Sequence, residues 1–297
     1  MLNDLMDNGI IMGIQSSSGI MVYYLVSILP GLIEYPFMRG EKGEKQKKLA
    51  RLMNTLFNEL SSLTQSNYDL MVKQLSSGNP MDRVIPVDME IDIPREIVLP
   101  YEDVKGIIER NDLISINYCY CRNWKDNLGE PCKLDTPDLT CFQFGKYAQF
   151  LIDHNFGKLI SKDEALKIIK ESEDSGLIHK AIHLRNPGQE EQAFCNCCSC
   201  CCQFFQLYKR GIFPFHTLTY YLADLDSEKC TGCGICIEKC PIDVIKLIED
   251  HSVTNLDRCI GCGLCVYHCS EKARTLKRTG LRDVYLQPPK IAELSQN

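Results

Sequence analysis

The run Cys230-Thr-Gly-Cys233-Gly-Ile-Cys236-Ile-Glu-Lys-Cys240-Pro241 decides how this chain is read, and it returns as Cys259-Ile-Gly-Cys262-Gly-Leu-Cys265-Val-Tyr-His-Cys269. Each copy is C-x2-C-x2-C-x3-C. Three thiolates at such short gaps can wrap three corners of an iron–sulfur cubane, and the fourth, held away at a helix start, ligates the other cluster. The spacing therefore predicts two [4Fe–4S] clusters. One rests on Cys230, Cys233, Cys236 and Cys269, the other on Cys259, Cys262, Cys265 and Cys240. Gly232, Gly234, Gly261 and Gly263 let the backbone turn tightly and bring N–H groups to the cluster sulfurs. Two zinc sites are the alternative, but zinc knuckles pair C-x-x-C elements across a longer gap.

Residues 222–280 resemble the bacterial-type ferredoxins that carry two [4Fe–4S] clusters. The resemblance implies a ferredoxin-like fold for that stretch. It departs from the pattern at Ser270, where proline often stands; serine can still begin a helix there.

Outside this stretch the composition is that of an ordinary globular protein, with 24% charged and 44% hydrophobic residues in 297. That length is enough for two domains or more. The net charge of −6 argues against a dedicated nucleic-acid binder, which needs a basic surface, and leaves docking to a protein partner open. Eighteen cysteines would suggest disulfides in a secreted chain. Here they cluster at metal-ligand spacing, and acidic residues occupy the place of a basic signal region, so the expected location is a reducing cytoplasm, of an anaerobe. The apolar run Ile20–Ile33 is too short to span a bilayer and is broken by Pro30-Gly31; it reads as a buried strand entering a turn.

Along the chain, Leu2, Leu5 and Met6 form one helical face stopped at Asn8-Gly9, and two strands flank a Gln15–Gly19 tip. This resembles the back half of a winged helix (residues 1–35). Arg39–Arg51 reads as a solvated helix face. Leu49, Leu52, Met53, Leu56, Phe57, Leu60 and Leu63 make one buried helical stripe. Residues 76–100, with Val84, Ile85, Val87, Met89, Ile91 and Ile93, read as extended, edge-like chain. Short elements follow: a helix over Glu102–Arg110, a strand over Ile114–Tyr118, a helix capped by Ser161 and Glu164 and closed by Gly176, a strand over Leu177–Leu184, and a helix over Cys200–Lys209. The expected class is α+β: a helical, cysteine-rich α+β domain over 36–220, a ferredoxin-like domain over 221–280 and a surface tail over 281–297.

Ten further cysteines lie in the middle: Cys119, Cys121, Cys132 and Cys141, then Cys195, Cys197, Cys198, Cys200, Cys201 and Cys202. The pattern C-x-C-R from Cys119 to Arg122, Phe144-Gly145, the capped helix ending in Ser175-Gly-Leu-Ile-His179, and CNCC-x-CCC resembles a family of anaerobe 4Fe–4S binding proteins. Members often end in the same ferredoxin module. The resemblance, over about residues 20–280, implies a cofactor type and no reaction. Thiolates this dense repel one another unless metal neutralises them. One or two further iron–sulfur clusters are expected on these ten residues, with structural zinc and partly free thiols as alternatives. The adjacent pairs are also similar to the non-cubane clusters of heterodisulfide reductase, although Ser199 replaces the glycine of that motif. Arg122 could donate to cluster sulfur or pair with an acid, and His268 could tune a cluster or lie in solvent. Trp124 reads as packing. No Walker loop, G-x-G-x-x-G or C-x3-C-x2-C is present.

The expected function is electron transfer between the dicluster module and the middle metal centre, serving a partner oxidoreductase. Two alternatives differ in class: a reductase with a substrate-binding cluster between Cys119 and Cys202, and, more weakly, a redox-responsive regulator.

Overall fold

The computed structural model describes residues 1–16, 18–87, 102–183 and 191–291. The chain is α+β. Its centre is an eight-stranded sheet in the order β12-β9-β3-β7-β8-β5-β4-β6, built from β3 (Asp82–Ile85), β4 (Ile114–Tyr118), β5 (Leu139–Phe144), β6 (Lys158–Ile160), β7 (Ile178–Ile182), β8 (Ala193–Cys197), β9 (Phe215–Leu225) and β12 (Arg274–Leu286). Neighbours run antiparallel except β3 and β9, which pair in parallel at Arg83 and Leu218. Two small hairpins stand apart from this sheet: β1 (Ile11–Gln15) with β2 (Met21–Leu25), and β10 (Ile245–Ile248) with β11 (His251–Thr254).

The long strands β9 and β12 bracket the twin cysteine motif in sequence and form one edge of the sheet. The other strands come from the cysteine-rich region, so the two cysteine groups share a single sheet. β12 runs to Leu286, paired with Phe215. Residues 281–286 are therefore strand, not surface tail; buried Val284 and Leu286 alternate with exposed Asp283 and half-buried Tyr285, the period-two signature of that strand.

The helices are α1 (Leu2–Asp7), α2 (Glu44–Ser66), α3 (Tyr68–Leu75), α4 (Val104–Glu109), α5 (Tyr120–Asn127), α6 (Gly145–Asp153), α7 (Lys162–Asp174), α8 (Gln203–Lys209), α9 (Ile235–Glu238) and α10 (Leu264–Tyr267). The expected capping box opens α7: Ser161 Oγ accepts from Glu164 N at 3.2 Å, and Ser161 N donates to Glu164 Oε2 at 3.0 Å. Gly176 follows with φ +74°, a left-handed closure suited to glycine. In α2 the buried face is narrower than the leucine pattern suggested. Ala50, Met53 and Phe57 are buried, whereas Leu52, Leu56 and Leu63 face solvent. The stripe recurs at three- and four-residue steps, and only the residues directed at Trp124 of α5 find a partner.

Three further expectations change. β2 is exposed at every position, so Ile20–Ile33 does not begin as a buried strand. β3 is central and wholly buried, not edge-like, because β9 covers one side of it and β7 the other. Cys240 and Cys269 do not begin helices; each lies two residues past the end of a one-turn helix, α9 or α10. Met89, Ile91 and Ile93 lie outside the described residues, as does Leu184 at the predicted end of β7. Among the described residues no helix is long and apolar enough to cross a membrane.

Candidate metal centres and the chamber beside them

The twin motif makes two small cavities. Cys230, Cys233, Cys236 and Cys269 line one, together with Ser252 and Arg274. Cys240, Cys259, Cys262 and Cys265 line the other. The first three cysteines of each motif stand with the last cysteine of the opposite motif, the crossed set that the spacing predicts. Gly261 shows why glycine is required in these loops. Its φ is +63°, and a Cβ there would lie 2.2 Å from the Tyr221 carbonyl oxygen of β9. The donor chemistry fits an iron–sulfur cluster: four thiols, an apolar wall and tight turns. Burial holds Cys262 and Cys265 above the ordinary thiol range, Cys265 at about 12, so cationic metal is needed to make them thiolates. Arg274 lines the first cavity, and its positive charge also lowers Cys265 of the second. It is 2% exposed and donates to Ser252 Oγ at 2.7 Å. Its role was not legible from the sequence, where it is one of several cations between Lys272 and Arg278.

The ten middle cysteines divide into two sets. Six make a closed ring: Cys119, Cys121, Cys202, Cys197, Cys195 and Cys141, in which each thiol contacts the next and the last contacts the first. Strand register explains half of it. Cys141 of β5 pairs with Cys195 of β8, and Cys197 is two residues along the same face. Cys119 and Cys121 come from the β4–α5 junction, and Cys202 from the residue before α8. The backbone N–H of Gln203 donates to Cys121 Sγ at 3.3 Å. Hydrogen bonds among the thiols lower Cys119 and Cys195 and raise Cys141 and Cys197. Burial raises Cys121, whereas at Cys202 it is outweighed by sulfur contacts and the charge of Lys180. Six such sulfurs become thiolates together only beside concentrated positive charge.

The other four are Cys132, Cys198, Cys200 and Cys201, whose sulfurs all lie within 4.8 Å of one another. Cys132 and Cys200 are 3.6 Å apart, and Cys200 and Cys201 3.7 Å. A single tetrahedral ion with metal–sulfur bonds of about 2.3 Å places its thiolates about 3.8 Å apart. A cubane interposes four irons and needs a wider set. This donor set therefore fits one metal ion. The two sets interleave in sequence, because Cys197 and Cys198 are neighbours that point into different sites.

Two cations serve these sulfurs. Arg122 is buried and donates to the Pro137 carbonyl at 2.9 Å and to Thr140 Oγ1. Burial alone would lower its proton affinity; the negative charge of Cys119, Cys198, Cys141 and Cys132 outweighs it and holds the guanidinium above its usual range. These residues belong to both sets, and Arg122 Nη1 has no protein partner. Lys180, in β7 opposite Cys195, was missed by sequence reasoning. Its Nζ lies 3.8 Å from the Phe204 ring centroid and 4.7 Å from that of Phe215. Burial lowers its proton affinity, but Asp82, Cys202 and Cys197 raise it further, so it stays charged. A lysine in a strand reads as solvent-facing, which hid it. His268 is half-buried with Nε2 unpaired, and burial lowers its proton affinity. Trp124 is packing: it donates to the Ala50 carbonyl at 3.1 Å and meets Phe57 edge-on.

A larger chamber of about 470 Å³ opens against the ring, with Cys141 and Cys195 in its wall. Glu34, Gln143, Gln192 and Gln203 give it polar groups, and Met12, Met38, Met81, Ile182, Phe204 and Leu207 an apolar lining. Burial pushes the Glu34 carboxyl up to about 7, against the backbone N–H of Gly31 that it accepts.

A family model described as a 4Fe-4S dicluster domain matches residues 223–270. That stretch holds all eight cysteines of the twin motif, and the chain carries a ferredoxin-type dicluster module. No curated protein and no solved structure matches the chain.

Proposed function

We propose that this protein is an electron-transfer protein in which the dicluster module exchanges electrons with a polynuclear iron–sulfur centre held by the six-thiol ring. In this reading the two crossed sets of four cysteines ligate the two [4Fe–4S] clusters, and Cys132, Cys198, Cys200 and Cys201 hold a single zinc or iron ion. A partner oxidoreductase in a reducing compartment supplies or takes the electrons. The likeness to anaerobe 4Fe–4S binding proteins agrees with this in cofactor type.

One observation carries the proposal. Cys197 and Cys202 of the ring belong to the same continuous apolar core as Cys236, Cys259, Cys262 and Cys265 of the dicluster module, joined through Phe205, Phe215 and Tyr221. Among the described residues the two are joined by this buried cluster. A cluster's potential is set by charge, hydrogen bonds and solvent access, and here Lys180 and Arg122 sit at the middle site while Arg274 sits at the module.

Anaerobic purification with iron, sulfide and zinc counted, followed by EPR of the reduced protein, tests it. The intact chain is expected to hold more than about eight irons, the complement of two cubanes. Replacing Cys197 and Cys202 by alanine should return the count to about eight, or about nine where the four-sulfur site holds iron, and leave the dicluster spectrum in place. An intact protein with about eight irons and only ferredoxin-type signals would sink the proposal.

A further inference from the structure

We infer that the 470 Å³ chamber is a binding site for a small uncharged organic molecule with an apolar body and a terminal carboxamide, or a group of like donor–acceptor pattern, seated against Cys141 and Cys195. The inference builds on the proposed metal centre only in what the molecule would lie beside.

The volume is that of a small-molecule site, not of a packing defect. The lining combines apolar Met12, Met38, Met81 and Phe204 with polar Glu34 and Gln203 and the two cysteines, and Glu34 lies close enough to Cys195 to feel its charge. Gln203 is the second, independent pointer. It is 3% exposed and lines the chamber, yet neither its amide nitrogen nor its amide oxygen has a partner. Buried amides are almost always paired, so an orphan donor and acceptor side by side call for a complementary pair. A primary carboxamide offers one: its carbonyl accepts from Gln203 Nε2 while its N–H donates to Oε1. Glu34 adds a further polar group to the same lining.

Charge excludes other classes. None of the described lining residues is lysine, arginine or histidine. The ionisable groups of the described lining are thiols, tyrosines and Glu34, none of them cationic, so a carboxylate or phosphate would be buried without a counter-ion. A permanent cation would leave the Gln203 oxygen and nitrogen half-used, since it cannot accept from the nitrogen. The uncharged amide is the class that satisfies both atoms.

The test uses the full chain, purified anaerobically with its metals, and three probes of one shape: cinnamamide, cinnamate and cinnamylammonium. Isothermal calorimetry should show saturable binding of one cinnamamide per chain, with cinnamate and cinnamylammonium each at least tenfold weaker. Visible circular dichroism should show that cinnamamide perturbs bands lost in the Cys197 and Cys202 replacement, and not those of the dicluster module. Gln203→Leu should weaken cinnamamide at least tenfold with the metal content unchanged. Ala193→Leu, which narrows the chamber from β8, should weaken all three probes and guards against a folding defect at Gln203. Equal affinity for the three probes, no binding, or an unaltered affinity in Gln203→Leu overturns the inference. Calorimetric binding in a protein that holds only the dicluster irons would uphold the chamber while the middle centre fails, so the two readings part cleanly.

Discussion

Lys180 Nζ lies 2.7 Å from Asp82 Oδ2 in the middle of the sheet, and both side chains are shut away from water. Thr217 Oγ1 donates to the same carboxylate at 2.5 Å. The lysine thus has two negative neighbours of different kinds, a carboxylate on one side and the sulfurs of Cys197 and Cys202 on the other. Lys180→Met should cost about 3–5 kcal/mol, because it strands a buried carboxylate. The double replacement with Asp82→Asn should recover most of that loss. In Lys180→Met the reduction potential of the proposed middle centre should fall, since removing a nearby positive charge disfavours the reduced state, and the double variant, which loses one charge of each sign, should fall less. Anaerobic thermal unfolding and a potentiometric EPR titration read the two effects separately.

Cys200 sits in contact with both Cys132 and Cys201, and belongs to the tight four-sulfur set. Cys200→Ser should release about one metal ion per chain and leave the iron of the other centres in place, as a tetrahedral mononuclear site implies. Metal analysis by mass spectrometry checks this. A loss of about four irons would instead mean that the set holds a cubane.

Gly261 and Gly234 separate two uses of glycine. Both have positive φ, but a Cβ at Gly261 would strike the Tyr221 carbonyl, whereas nothing lies within 4 Å of one at Gly234. Gly234→Ala should cost about 1–2 kcal/mol, the left-handed conformation alone. Gly261→Ala should cost more and reduce the occupancy of the cluster on Cys259, Cys262 and Cys265. Anaerobic unfolding of the two variants, with iron counted in each, reads the difference.

Glu34 links stability to pH. Burial raises its carboxyl from 4.5 to about 7 in the folded chain. The folded state then holds the proton more tightly than the unfolded state does. The stability this confers is complete below pH 4.5 and is lost as pH rises through about 7. The full span is on the order of 3 kcal/mol. Glu34→Gln should remove this slope, so the variant gains on the parent between pH 5 and pH 8. Taking the difference between the two proteins cancels the titration of the cysteines, and chemical denaturation at each pH measures it. A constant difference across that range would show that Glu34 is not held neutral.

Much of the dicluster module was legible because its ligands are local. Three of each four cysteines lie within seven residues, and the glycines that turn the loops lie between them. The capped helix α7 and strand β4 were legible for the same reason: a capping box and the alternation of Ile114, Ile116 and Tyr118 with polar residues act over a few residues. The leucines of α2 show the limit. Their spacing fits a helix, but which of them are buried depends on where Trp124 arrives from seventy residues away.

By itself the sequence pointed to thiolate-bound metal and marked a ferredoxin-type dicluster module near its end, since cysteine spacing fixes what a short loop can wrap. It did not determine how the ten remaining cysteines divide. Only the tertiary structure parted Cys197 from Cys198, brought Cys141 across from Cys195, and set Lys180 and Arg122 among the sulfurs. The reason is physical. A strand turns successive side chains to opposite faces, and which sulfur meets which depends on register between strands far apart in the chain. The opening motif is a property of a few residues, whereas the ring and the chamber beside it are properties of the sheet.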